Sequence, residues 1–105
     1  MDIVIKSVNF KAGNNLKTFV REKIRKLFRH NNRIIRANVM LRKEESKNPE
    51  NKLCEIRLVV PGYDHYVKKS SGEYYKSVSE SVDVLEEILR RNKTRQTFNR
   101  SASIN

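Results

Sequence analysis

The chain has 105 residues, of which 37% are hydrophobic and 33% charged, and it carries a formal net charge of +11. This length suits a single domain with one core, and no apolar run approaches the ~20 residues of a membrane-spanning helix. A strongly positive protein attracts polyanions, so we expect a nucleic-acid partner rather than a membrane, whose surface would compete with the core for the apolar faces.

Hydrophobic periodicity predicts six elements in the order β-α-β-β-β-α. They are a strand at about residues 2–9, a helix that begins after Gly13 or Asn14 and ends near residue 30, strands at 34–43, 53–60 and 66–70, and a second helix from about residue 73. A polar loop at 44–52 and the pair Pro61-Gly62 connect the last three strands. Because residues 94–105 show no period, we expect a domain at 1–95 and a flexible tail at 96–105.

Each element has one apolar face. In the first helix this face consists of Leu16, Phe19, Val20, Ile24, Leu27 and Phe28. In the second helix it consists of Tyr75, Val78, Val82, Leu85 and Leu89. In the middle strands, alternation places Ala37, Val39, Leu41, Cys54, Ile56, Leu58 and Val60 inward and Leu53, Glu55, Arg57 and Val59 outward.

These faces can be buried only against one another. We therefore predict an α+β fold, a four-stranded mixed sheet with both helices packed on one face. A right-handed crossover through the first helix would make the first two strands parallel and leave the others as a meander.

The positive charge is concentrated in the first part of the chain. Residues 1–43 contain twelve Lys and Arg and only two acids, Asp2 and Glu22. In the first helix a basic row recurs every fourth residue: Lys17, Arg21, Arg25 and Arg29. Such a row is often an ordinary solvated face, but like charges at this spacing cost stability. We therefore interpret it as a nucleic-acid surface that faces outward beside the second helix.

Further basic residues extend this surface. We expect Lys23 and Lys26 on the same helix to contribute, with the stem of Lys23 along the core and its ammonium at the groove between the helices. The remaining candidates are Arg33, Arg36, Arg90, Arg91, Lys93 and Arg95. The cluster at the end of the second helix has an alternative explanation, because cations there also stabilise the helix dipole.

Other side chains give little sign of a chemical site. His30 and His65 stand alone, and no catalytic or nucleotide-binding motif occurs, so we expect no enzymatic activity, cofactor, metal or small-molecule substrate. The single cysteine, Cys54, is interpreted as a small buried hydrophobe, and residues 1–10 lack a secretory signal, which favours the cytoplasm. Three tyrosines could stack on bases, but core or hairpin packing is the favoured interpretation for Tyr63, Tyr66 and Tyr74.

Several segments together resemble the ribosome hibernation promoting factor family, also called the ribosome-associated inhibitor A or S30EA family. In the first half of the chain they are the opening strand, the V-x-x-K-x-x-K-L pattern at Val20, Lys23, Lys26 and Leu27, and the turn at 32–34. In the second half they are Pro61-Gly62, the segment E-Y-Y-K-S-V at 73–78 and a Leu-Glu-x-x-Leu segment at 85–89. The segment at 73–78 is similar to the family's D-M-Y-x-A-I. The resemblance covers about residues 1–95.

The resemblance implies a ribosome hibernation factor. Such proteins bind the small ribosomal subunit through ribosomal RNA, block the messenger and transfer RNA sites, and inhibit translation in idle cells. Lys23, Lys26 and Arg29 match basic positions of the family's first helix, whereas Val84 and Glu87 replace basic residues that the family has in the second. The chain resembles the short form, which either pairs ribosomes together with ribosome modulation factor or silences single ribosomes.

The alternative is a double-stranded RNA-binding domain. Its order α-β-β-β-α is contained in the predicted topology, but the extra first strand and the basic first helix speak against it.

Overall fold

The structure, a computed structural model, describes the backbone of residues 2–104 and the side chains of residues 2–92. It contains β1 (Asp2–Val8), α1 (Asn14–His30), β2 (Arg36–Lys43), β3 (Lys52–Val60), β4 (Tyr63–Ser71) and α2 (Tyr74–Ile104). The strands form one sheet in the order β1-β2-β3-β4. The predicted α+β fold, with a four-stranded mixed sheet and two helices, is confirmed.

The connections determine the directions of the strands. The crossover through α1 makes β1 parallel to β2, with Ile3 opposite Ala37. Hairpins join the remaining strands, which pair antiparallel. The tighter hairpin turns at Pro61-Gly62, where Gly62 has φ +94, a conformation that glycine adopts without a Cβ clash.

One core lies between the sheet and the helices. α2 packs against β3 and β4, while α1 lies beside α2 and reaches β1. The residues predicted to face inward on β2 and β3 are all buried, as are the helix residues Leu16, Val20, Ile24, Leu27, Val78, Val82, Leu85 and Leu89. Burying each large apolar side chain contributes about 1.5–3 kcal/mol, which makes this layer contact the main source of stability.

A small polar network anchors the beginning of α2 to the sheet. The hydroxyl of Ser77 is fully buried and lies 2.7 Å from the backbone carbonyl oxygen of Lys52 on β3 and 2.7 Å from the hydroxyl of Ser71 on β4. The Ser81 hydroxyl, also buried, donates to the Ser77 carbonyl oxygen at 2.8 Å. Because each of the three serine hydroxyls has a partner, this network avoids the cost of an unsatisfied polar group.

Two side chains lie in environments that the sequence pattern predicted wrongly. Leu53 was expected outside and is only 1% exposed, although it is not part of the core under the helices. Its cross-strand neighbour Arg42, on the same face of the sheet, is itself partly buried. Tyr75 was expected in the core but is 44% exposed, because its ring lies on the flank of α2 that faces α1.

Two element ends also differ from expectation. β4 begins at Tyr63, three residues before the predicted strand, because the tight turn lets pairing start at Val60 and Tyr63. α2 continues to Ile104 and does not end near residue 93. The boundary of the domain at 95 and the flexibility of 96–105 stay predictions.

Cys54 has the environment expected of a small buried hydrophobe. The thiol is free and fully buried, and burial raises its pKa to about 12. Because the thiolate is the reactive form, this cysteine is chemically inert at neutral pH.

The core position of α1 can be tested with two isoleucines. Ile24 is fully buried, whereas Ile35 is 53% exposed in the turn before β2. We expect Ile24→Ala to lower the free energy of unfolding by about 2–5 kcal/mol through lost burial and a residual cavity. The control Ile35→Ala should change it by less than ~0.5 kcal/mol. Denaturant unfolding measures both, and equal losses would contradict the assignment of the core.

His65 predicts a pH-dependent stability. It is 9% exposed, and burial lowers its pKa. The unfolded chain therefore takes up a proton near the ordinary value of about 6.5 while the folded chain does not. The stabilisation is present above that pH and is lost as the pH falls toward the lowered folded pKa.

We accordingly expect the free energy of unfolding to fall between about pH 7 and 5.5 in the wild type and to fall less in His65→Gln. His30 is present in both proteins and cancels in the comparison. Parallel pH profiles from denaturant unfolding would show that His65 is not the group responsible.

Candidate nucleic-acid interface

The basic residues of α1 lie on both flanks of its buried face. Arg21 and Arg25 line a depression together with Phe28 and with Ile3 of β1, so they lie over the free edge of the sheet. Lys17 is one helical turn before Arg21 on the same side. We call Lys17, Arg21 and Arg25 the edge row.

This placement corrects one expectation. The basic row was predicted to face outward beside α2, but the edge row lies on the opposite flank, next to β1. The fourth residue of the predicted basic row, Arg29, is exposed and, from the helical period, lies on the outer side between the two flanks. The sheet order is the reason, since α1 has β1 on one side and α2 on the other.

The other flank of α1 forms a groove with α2. The rings of Phe19 on α1 and Tyr75 on α2 meet edge to face, with centroids 4.9 Å apart. At the far end, Nε2 of His30 lies 3.8 Å from a carboxylate oxygen of Glu86. Both contacts join residues with the same sequence offset, so the two helices run parallel.

Lys23 lies in this groove, as the sequence predicted. Its Nζ is 5.5 Å from the centroid of the Phe19 ring, and the side chain is partly buried. A cation over an aromatic face at a surface gains about 0.5–1 kcal/mol, which holds the ammonium at the groove. Lys26, almost one turn further along, is exposed on the same flank. We call Lys23 and Lys26 the groove row.

The cations of α1 are electrostatically uncompensated. Within residues 2–92, no Lys or Arg side chain of α1 lies within 4.0 Å of a carboxylate oxygen, and the one ion pair found there that includes an α1 residue is that of His30 with Glu86. A rigid helix with unpaired positive charge on both flanks is suited to bind phosphate groups.

Arg33 and Arg36 do not extend this surface in the same direction. Arg33 is exposed in the turn after α1, where its backbone N–H donates to Oδ1 of Asn31 at 2.8 Å. Arg36 begins β2 and alternates with the buried Ala37, so it points away from the helices. The structure thus brings Arg33 near the end of α1 and separates Arg36 from it by the sheet.

The basic cluster on α2 is largely paired within its own helix. An Arg90 guanidinium nitrogen lies 2.9 Å from a carboxylate oxygen of Glu86, and Nε of Arg91 lies 3.0 Å from one of Glu87. The side chains of Lys93 and Arg95 lie outside the described residues. Of the candidates at this end, the two whose side chains are described have acidic partners, unlike the Lys and Arg side chains of α1.

The three tyrosines have different environments. Tyr74 is partly buried and stacks on Phe10 with ring centroids 4.2 Å apart, and Tyr63 lies at the β3–β4 hairpin, as expected. Tyr66 departs from expectation, because it is 53% exposed in the middle of β4. The alternation of β4 contained the signal, since His65 and Val67 on either side are buried.

The described residues include no group of three or more His, Cys, Asp or Glu side chains that could hold a metal ion. Among them there is likewise no helix both long and apolar enough to cross a membrane.

Comparison with known proteins identifies relatives of this chain. Residues 3–97 match the family described as Sigma 54 modulation protein / S30EA ribosomal protein. The Ribosome hibernation promotion factor of Deinococcus radiodurans is 31% identical over 88 residues, which cover 83% of this chain and 46% of that protein. The chain therefore spans about half the length of this curated relative.

Two solved structures have the same fold. The N-terminal domain of Thermus thermophilus Protein Y aligns with a TM-score of 0.74 and 23% identity, covering 87% of this chain and 98% of that one. A ribosomal subunit interface protein from Coxiella burnetii aligns with a TM-score of 0.77 and 18% identity, covering 90% and 99%. At these identities the likeness concerns the fold alone. The family match extends over both helices and all four strands, and this chain belongs to the Sigma 54 modulation protein / S30EA ribosomal protein family.

Proposed function

We propose that this protein is a ribosome hibernation factor that binds the small ribosomal subunit through ribosomal RNA. In this proposal it blocks the messenger and transfer RNA sites and inhibits translation in idle cells. Family membership and the hibernation factor from Deinococcus radiodurans support the general function. The observation that best supports a contact with RNA is the positive charge of the Lys and Arg side chains of α1, which have no acidic partners within the described residues. The double-stranded RNA-binding domain, the alternative from sequence, receives no support from the family match.

The mechanism is steric exclusion. Phosphate contacts position a protein on RNA without reading its sequence, and cations one helical turn apart are spaced roughly 6 Å along the helix, a distance that can follow a sugar-phosphate backbone. Because α1 is held by its core contacts, these charges are already positioned before binding, which limits the ordering cost. No bond is made or broken, so the activity needs no catalytic group.

We propose that the groove row, together with Arg29, contacts ribosomal RNA more closely than the edge row does. These three residues occupy the positions at which the family's first helix is basic. The groove also places the Phe19 ring, which packs against Tyr75, beside the ammonium of Lys23, and the Lys23 side chain is partly buried. Electrostatic attraction is stronger where water is excluded. The edge row would then contribute longer-range attraction.

A pair of matched triple variants tests this assignment. Reversing the charge of Lys23, Lys26 and Arg29 to Glu should abolish sedimentation with purified small subunits, because three phosphate contacts become repulsive. Reversing Lys17, Arg21 and Arg25 to Glu changes the net charge equally and should weaken binding only in part. Both variants should keep a melting temperature close to that of the wild type, since these side chains lie outside the core.

Equal losses in the two triple variants would contradict the groove assignment and leave only net charge as the cause. A variant that unfolds would show that the changed residues belong to the fold, and the corresponding Lys→Gln and Arg→Gln variants would then replace it.

Competition and salt dependence test the proposed binding site. We expect saturable one-to-one binding to small subunits, competed by messenger and initiator transfer RNA, with an affinity that falls as salt rises. A generic RNA duplex should bind much more weakly at the same salt concentration. Equal affinity for any duplex would contradict the proposal and favour the double-stranded RNA-binding alternative.

The effect of this protein on the pairing of ribosomes is measured with sucrose gradients. Sucrose-gradient profiles of ribosomes with this protein, with and without ribosome modulation factor, distinguish pairing from silencing. Paired ribosomes only in the presence of the second protein would make ribosome modulation factor a partner, and unchanged single ribosomes that do not translate would show silencing alone.

A further inference from the structure

No helix in the described part of the chain covers the face of the sheet opposite the helices, although one side chain there, Leu53, is buried. Its central row follows the strand register across all four strands, from Val4 through Asn38 and Arg57 to Tyr66. We call the outward side chains of the four strands the open face. α1 lies on the other side of the sheet, so the open face is separate from the groove and edge rows.

Tyr66 is the most conspicuous side chain of the open face. It is 53% exposed, and Val4 at the other end of the row is 49% exposed. Between them is a shallow depression of about 290 Å³, lined also by Asn38, Met40 and Arg57. This volume is at the lower end of small-ligand pockets, which start at about 300 Å³, so the depression suits one planar group rather than a protein helix.

The Tyr66 side chain lines this depression together with Glu55. Burial and the charge of Glu55 raise the pKa of Tyr66. Glu55 is on the neighbouring strand, opposite Lys68. Because about half of the Tyr66 side chain is exposed, part of the aromatic ring is available to a stacking partner.

The charge of the open face is positive. By alternation it includes five cations, Lys6, Arg36, Arg42, Arg57 and Lys68, and three acids, Asp2, Glu55 and Asp64. Arg57 and Asp64 lie 3.9 Å apart with side chains 57% and 45% exposed, and Lys68 lies 3.9 Å from Glu55. Such long, solvated pairs contribute little stability, so an arriving phosphate can replace the acids as partner of the cations.

We propose that the open face binds single-stranded RNA, with one base stacked on Tyr66 and the adjacent phosphates contacted by Arg57 and Lys6. An exposed aromatic ring among basic side chains on a sheet is the combination that binds unpaired bases, because every base has a π-face. A peptide partner is less well matched, since Asn38 and Arg57 interrupt the apolar surface between Val4 and Tyr66.

A tryptophan reporter tests this directly, because the chain contains no Trp. In Tyr66→Trp the indole replaces the proposed stacking ring. Tyr63→Trp is the matched control, since Tyr63 is on the same strand and 52% exposed but alternates to the other face. We expect an oligouridylate of about 8 nucleotides to quench the fluorescence of Tyr66→Trp and to leave that of Tyr63→Trp nearly unchanged.

Affinity provides the second measurement. Tyr66→Leu should weaken binding of the same oligouridylate roughly 5- to 150-fold, the range observed when one stacking ring is removed. Tyr66→Phe keeps the ring and should bind nearly as the wild type does, and Tyr63→Leu should have little effect. The loss in Tyr66→Leu should persist at raised salt, whereas Arg57→Gln should reduce the salt dependence.

Quenching of both reporters, or of neither, would overturn the proposal, as would a Tyr66→Leu variant that binds like the wild type. If Tyr66→Leu does not fold, the reporter pair and Tyr66→Phe decide. The measurement uses no ribosomes, so its outcome is independent of the small-subunit proposal, which the triple variants of α1 test separately.

Discussion

The structure depends on the contact between one face of the sheet and the apolar faces of both helices. A sheet has two faces, but the chain has only two amphipathic helices, and both are used on the same side. The buried side chains of α1, Leu16, Val20, Ile24 and Leu27, are its contribution to that layer. The other side chains of α1 are partly or fully exposed, and no helix in the described part of the chain covers the opposite face of the sheet.

Relative magnitudes explain how α1 tolerates its charge. Three like-charged steps at i, i+4 cost roughly 1 kcal/mol together, whereas burial of each large apolar side chain contributes about 1.5–3 kcal/mol. Core packing therefore holds the helix in place against its own repulsion. α2 has a different arrangement, in which Glu86 and Glu87 pair with the following arginines. The two helices thus differ in charge, because the Lys and Arg side chains of α1 have no acidic partners and the described arginines of α2 do.

The two proposed RNA surfaces differ in physical character. On α1, rigid cations on both flanks provide attraction that depends on salt and ignores base identity. On the open face, fewer net charges surround an exposed ring, and stacking rather than attraction would dominate. Because the sheet separates the two surfaces, one molecule can contact RNA on both sides without either contact distorting the core.

The amino-acid sequence was enough to predict the order and type of the elements, because apolar residues that recur with a period of two or 3.6 indicate which side chains must be buried. It also placed the ammonium of Lys23 at a border of the apolar face of α1, since a lysine inside an apolar arc can reach water only along that border. It could not say which flank of α1 faces α2, because the two flanks are equivalent in the pattern until the sheet order distinguishes them. For the same reason the edge row was assigned to the wrong side. The exposure of Tyr66 and Tyr75 was also predicted wrongly. Periodicity indicates the direction in which each side chain points, but the neighbouring elements determine whether anything covers its ring. Those neighbours are distant in sequence, so only the tertiary structure specifies them.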